Sequence, residues 1–130
     1  MKGRRAFLYF AFILLLGSAA YGSYVADGAW LKNVPVRDHE KTNPFQGQSD
    51  AISAGQRIYA DHCSHCHGEN AQGTKKHPPL KSERVQNLAT DGDLHWLLTN
   101  GNMRKGMPPW SKLPDQQLWQ LITYLKSLRD

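Results

Sequence analysis

Residues 63 to 67 read CSHCH and hold both cysteines of the chain and two of its six histidines, with His62 directly in front. Thiols and imidazoles bind borderline metals, attack electrophiles and cycle between dithiol and disulfide. Wound as a helical turn of about 100° per residue, Cys63, Cys66 and His67 fall on one side, at i, i+3 and i+4. His65 points nearly opposite, and His62 lies a turn back at the margin. The turn offers two thiols and one imidazole to a single object.

Several chemistries compete for that arrangement. A structural zinc site takes four ligands, commonly in two separated pairs. The second pair would be His77 and His95, whose spacing is wrong for a finger. A thioredoxin-like dithiol follows a strand and opens a helix, whereas this motif ends one. A disulfide across so short a loop contributes little and leaves His67 unexplained. The spacing C-x-x-C-H is that of haem attachment. Two cysteines bond the porphyrin while the imidazole reaches its iron. The expected cofactor is one haem c, covalently attached through Cys63 and Cys66, with His67 as metal ligand.

A second axial ligand decides between electron transfer and ligand chemistry. Met107, in the run KGMPPWSKL, sits in a loop stiffened by Pro108 and Pro109. Met103, four residues earlier between Asn102 and Arg104, is its competitor. The prolines favour Met107. With protein at both axial positions the chain is a one-electron carrier, not an enzyme. A labile Met107 would instead make a gas sensor or weak peroxidase.

Three helices are expected to position these residues. The first, capped by Ser49 or Asp50, runs through Ala51, Ile52, Ala54, Ile58 and Tyr59 into Cys63. A loop rich in glycine and proline follows. Asp91 caps a second helix, Gly92 to Asn100, with Leu94, Leu97 and Leu98 on one face and Gly101 as its stop. After the loop NMRKGMPPWSKL, a last helix opens at Pro114 and Asp115. Its Leu118, Leu121, Ile122, Leu125 and Leu128 recur at three- and four-residue steps. No strand or internal repeat is evident. Residues 49–130 alone would bury little core, and domains of that size need a staple such as a cofactor.

The 130-residue chain is long enough for one small domain. Its formal net charge is +5, of which Lys2, Arg4 and Arg5 supply three. The remainder is too thinly spread for a nucleic-acid surface. No charge occurs from Ala6 through Ala26, a run that as a helix reaches roughly 30 Å and can cross a bilayer. Residues 1–26 are therefore expected to be a signal peptide or a membrane anchor. Either exports the rest of the chain, and cleavage after Ala20 is the alternative to anchoring by residues 6–26. Residues 27–48, with Pro35, Pro44 and balanced charge, read as an extended tether. The competing reading is a strap across the domain, docked through Trp30 and Phe45. Residues 49–130 form the domain proper.

From Gly55 to Leu128 the chain resembles the class I, single-haem cytochromes c of bacteria. The matching pieces are GQRIYADHCSHCHG (55–68), PPL (78–80), DGDLHWLLTNG (91–101), GMPPW (106–110) and LPDQQLWQLITYLKSL (113–128). The resemblance implies an all-α fold, three main helices wrapped around one covalently bound haem, preceded here by the N-terminal hydrophobic helix. It implies that Gly55 and Tyr59 meet Tyr124 where the first and last helices cross. It also implies that Pro78 gives its carbonyl to His67, that Leu80 lines the haem, and that Trp96 and Trp110 pack beside it. His77 departs from the pattern, standing where many relatives have glycine or alanine. It is expected at the surface near the haem edge, or as a replacement ligand in another state. The implied role is a periplasmic electron carrier between a dehydrogenase donor and an oxidase or larger cytochrome. The alternative is a dedicated cytochrome subunit of one dehydrogenase. Lys75, Lys76, Arg104 and Lys105, in the two loops, could steer an acidic partner.

Overall fold

The computed structural model describes residues 28–129, and the chain divides into two units between Asn33 and Val34. The expected leader or anchor, residues 1–26, lies outside the described residues. In the first unit Ala29–Asn33 is a short 3-10 turn. The second unit is mostly helical and has no strand among the described residues, as an all-α domain should. Its helices are α1 (Val36–His39), α2 (Ser49–His62), α3 (Ser64–His67), α4 (Asp91–Asn100) and α5 (Asp115–Ser127). A π-helical turn, Arg84–Leu88, and a 3-10 turn, Met103–Lys105, interrupt the two long loops. Among the described residues no helix is long and apolar enough to cross a membrane.

The crossing of α2 and α5 forms the core. A Cβ on Gly55 would collide with the Gln120 carbonyl and lie 2.7 Å from Tyr124 Cβ. Only a residue without a side chain admits so close an approach. One turn on, the Tyr59 and Tyr124 rings meet in a tilted contact with centroids 5.4 Å apart. Ala51, Tyr59, Leu118, Leu121, Ile122 and Leu125 are buried, each large aliphatic among them stabilising the fold by about 1.5–3 kcal/mol. Trp119 is buried too, beyond the aliphatic face the periodicity marked out. Its ring stacks on His95 at 4.2 Å, and its Nε1 donates to Asp115 Oδ2. His95 Nε2 meets the other oxygen of that carboxylate at 2.7 Å. His95 thus joins α4 to α5 instead of pairing with His77 around a metal.

Helix ends differ in detail from the sequence expectation. The α4 cap is Thr90, not Asp91: Thr90 Oγ1 accepts from Asp93 N, and Asp93 Oδ2 accepts from Thr90 N. Ser49 is the first residue of α2, and Gln48 precedes it without a side-chain cap.

From Val34 onward the segment read as a tether or a strap is folded on the domain. The α1 turn packs against the start of α4. A Cβ on Gly92 would collide with the Asp38 carbonyl. Thr90 Oγ1 donates to His39 O at 2.9 Å, and His39 Nδ1 lies 2.9 Å from Asp93 Oδ1. Lys41, 2.6 Å from the buried Asp38, holds that carboxyl below its ordinary range. Further on, the buried Asn43 amide donates to Trp119 O and Thr123 Oγ1 on α5.

Candidate haem site

The attachment turn hangs from the end of α2. Cys63 leaves helical continuity at φ −117°, and α3 restarts the chain as one turn. Backbone bonds Cys66 N to Cys63 O (3.2 Å) and His67 N to Cys63 O (2.9 Å) close it. This is the turn expected from the spacing, with both thiols free and half-buried. Burial, with Cys66 beside it, pushes the Cys63 thiol up to about 12.

His67 has its ring orientation set from outside the turn. Its Nδ1 lies 2.9 Å from Pro78 O. A carbonyl only accepts, so Nδ1 carries the proton and Nε2 keeps its lone pair. Burial lowers the His67 pKa, against the pull of the Pro78 carbonyl, and nearby His77 lowers it further. The ring is thus neutral and able to ligate. Two free thiols one turn apart, beside an imidazole with Nε2 available, fit a covalently held haem. No group of three or more His, Cys, Asp or Glu among the described residues is arranged for another metal.

Two loops flank this turn, and each carries the same device. Gly73 takes φ +77°, and a Cβ there would lie 2.6 Å from Pro79 N and 2.8 Å from Pro78 C. Gly101 takes φ +69°, and a Cβ there would lie 2.6 Å from Pro109 N and 2.7 Å from Pro108 C. The residue after each glycine donates its N–H to the residue before the proline pair. Thr74 N reaches His77 O at 2.9 Å, and Asn102 N reaches Met107 O at 2.8 Å. Left-handed backbone and absence of Cβ are both required at these glycines. The sequence marked Gly101 as a helix stop but not the wedging of either glycine against a proline pair; the parallel runs GTKKHPP and GNMRKGMPP were the available signal.

The remaining candidates can be placed. Met107 is half-buried and makes a second backbone bond to Asn102, whereas Met103 is 69% exposed. Leu80 is half-buried, its N–H on Ala71 O and its carbonyl accepting from Gln86 Nε2. Trp96, on α4, and Trp110 are half-buried, and Trp110 N donates to Leu98 O at 2.7 Å. His77 stands edge-on to His67 at 6.1 Å, its Nδ1 3.2 Å from Thr74 Oγ1. His65 and His62 are exposed.

An all-helical domain with two thiols and a tautomer-fixed imidazole in one C-x-x-C-H turn defines a single-haem c-type cytochrome. More particularly, the family model described as cytochrome c oxidase, cbb3-type, subunit III matches residues 50–125, and the chain belongs to that family. Domains of this family bind covalently attached haem c and transfer electrons; Cys63 and Cys66 are the two cysteines available for attachment here. Thiosulfate dehydrogenase of Stutzerimonas stutzeri is 30% identical over 117 residues, 83% of this chain and 37% of that protein. The cbb3-type cytochrome c oxidase subunit CcoP of Azospirillum brasilense is 37% identical over 90 residues, 62% of this chain and 30% of that protein. The chain spans about a third of the length of these curated relatives.

Proposed function

We propose that this chain is a one-electron carrier on the periplasmic side of a bacterial cytoplasmic membrane, with His67 and Met107 as the axial ligands of its haem. The observation that carries the proposal is a neutral His67 with Nδ1 committed to Pro78, accompanied by a half-buried methionine in a braced loop. When bound, the haem iron supplies a one-electron Fe(III)/Fe(II) couple. His67 would offer Nε2, its basicity raised by the Pro78 carbonyl. Met107 would offer a thioether, a ligand that favours the reduced state. Leu80, Trp96 and Trp110 would supply apolar packing around the cofactor.

The exposed Lys75, Lys76, Arg104 and Lys105 would draw in an acidic redox partner. A dehydrogenase is the proposed donor, and an oxidase or larger cytochrome the proposed acceptor. Residues 6–26 would anchor the protein to the membrane it serves. A second reading, a dedicated cytochrome subunit of a periplasmic dehydrogenase, is favoured by the match to thiosulfate dehydrogenase across most of this chain.

Absorption spectra test the ligand assignment. The ferric protein is expected to show the weak far-red band of sulfur–iron ligation, and the ferrous protein to leave CO unbound. Met107→Ala should abolish the band and Met103→Ala should keep it. The opposite pattern would move the ligand to Met103; CO binding by the unmutated protein would replace the carrier with a ligand-binding haem protein.

A further inference from the structure

Trp110 follows Met107 by three residues, and its backbone is tied to α4 through Leu98 O. Its ring touches a different element. The indole and the His62 imidazole have centroids 5.2 Å apart and planes inclined at 52°, a tilted aromatic contact. His62 is the last residue of α2 and directly precedes Cys63. The ring pair therefore joins the helix that bears the attachment turn to the loop that bears Met107. The restraints on that loop described above return to Leu98, Gly101 or Asn102, all on α4 or just beyond its end. None of them ties Met107 to α2 or to the turn that carries the cysteines.

We infer that the His62–Trp110 pair is a clasp that holds the Met107 loop closed against the attachment helix. This makes both side chains positioning residues for Met107, and it rests on the assignment of Met107 as a ligand. An edge-inclined ring contact shifts an open–closed equilibrium several-fold without contributing any bond to the iron. His62 is suited to that duty because it lies outside the α2–α5 core: it is exposed at the helix end, so its replacement leaves Tyr59, Tyr124 and their neighbours in place. The clasp also accounts for the aromatic residue immediately after Pro109. The proline pair stiffens the chain beyond Met107, and Trp110 converts that stiffness into a fixed distance from α2.

The test is titration of the ferric holoprotein with imidazole, an external ligand that can bind only when the loop yields. His62→Ala is expected to bind imidazole about three- to tenfold more tightly than the unmutated protein, the range a single aromatic contact supports. His62→Phe keeps a ring and should return to within about twofold of the unmutated protein. Trp110→Leu should resemble His62→Ala, and the double variant should be no looser than the looser single, because one contact is lost only once. Equal affinity in His62→Ala and the unmutated protein, or additive effects in the double variant, would overturn the clasp. The far-red band of the unmutated protein reports separately on the ligand. Its presence with flat imidazole affinities sinks the clasp alone. Its absence sinks the Met107 assignment, and the clasp as a device that positions Met107 falls with it.

Discussion

The loop from Gly73 to Pro79 and the loop from Gly101 to Pro109 share one backbone plan. Each has a glycine at positive φ wedged against a proline pair, followed by an N–H bonded to the carbonyl just before that pair. They differ in what the brace delivers. The first presents the Pro78 carbonyl to an imidazole rooted elsewhere, in a turn that closes on its own backbone. The second carries Met107 itself, whose thioether has no N–H through which a neighbour could orient it. A histidine can thus be held by hydrogen-bond chemistry, whereas a methionine must be held by the shape of its chain.

Breaking each brace should give different phenotypes. The largest effect is expected from Gly101→Ala, which forces a Cβ into Pro108–Pro109 at a left-handed position. It should cost about 1–3 kcal/mol of strain and erase the far-red ferric band in most molecules while the haem stays attached. Gly73→Ala carries a similar strain, measurable by denaturant titration, but should leave the band. Its signature is a rise in reduction potential, because a His67 deprived of the Pro78 carbonyl is a weaker base. If Gly73→Ala removed the band as completely as Gly101→Ala, the contrast between the two loops would be wrong.

The smallest effect sharpens the histidine side. Tyr59 Oη donates to Gly68 O at 2.6 Å, just beyond the attachment turn, so Tyr59→Phe should cost about 1 kcal/mol at neutral pH. Burial, with Cys63 and Tyr124 nearby, pushes the Tyr59 hydroxyl up from 10.0 to about 12. A raised pKa for an acid means that the fold favours the protonated form. That contribution is full below pH 10 and is lost as pH rises through about 12. Stability followed by denaturant between those pH values should fall more steeply in the unmutated protein than in Tyr59→Phe.

The parts of this architecture that could be read from the chain are those whose cause is local. Cys63, Cys66 and His67 share a face because three and four residues make one turn, and the turn forms that way. The leucines at helical steps marked the buried face of α5, while the crossing of α2 and α5 at Gly55, Tyr59 and Tyr124 came only from the resemblance to the single-haem cytochromes c. What could not be read depends on partners far away. The four residues of α1 have no period to detect and are fixed by Asp93, 54 residues beyond His39. Asn43 looks like any loop asparagine until Trp119, 76 residues on, accepts its amide. The π turn at 84–88 is likewise completed from outside: Lys126 Nζ donates to the carbonyls of Val85, Gln86 and Ala89. Half-buried there, Lys126 has its pKa lowered chiefly by burial.

The strap has a mechanical consequence. A tug on the chain at Val34 first meets the His39–Asp93 and Thr90–His39 links at the head of α4, then the Asn43 amide seated on α5. Only past those fastenings does the backbone reach Ser49 and the helix that ends beside Cys63. Load from the N-terminal side is shared out between two helices before it can travel to the attachment turn.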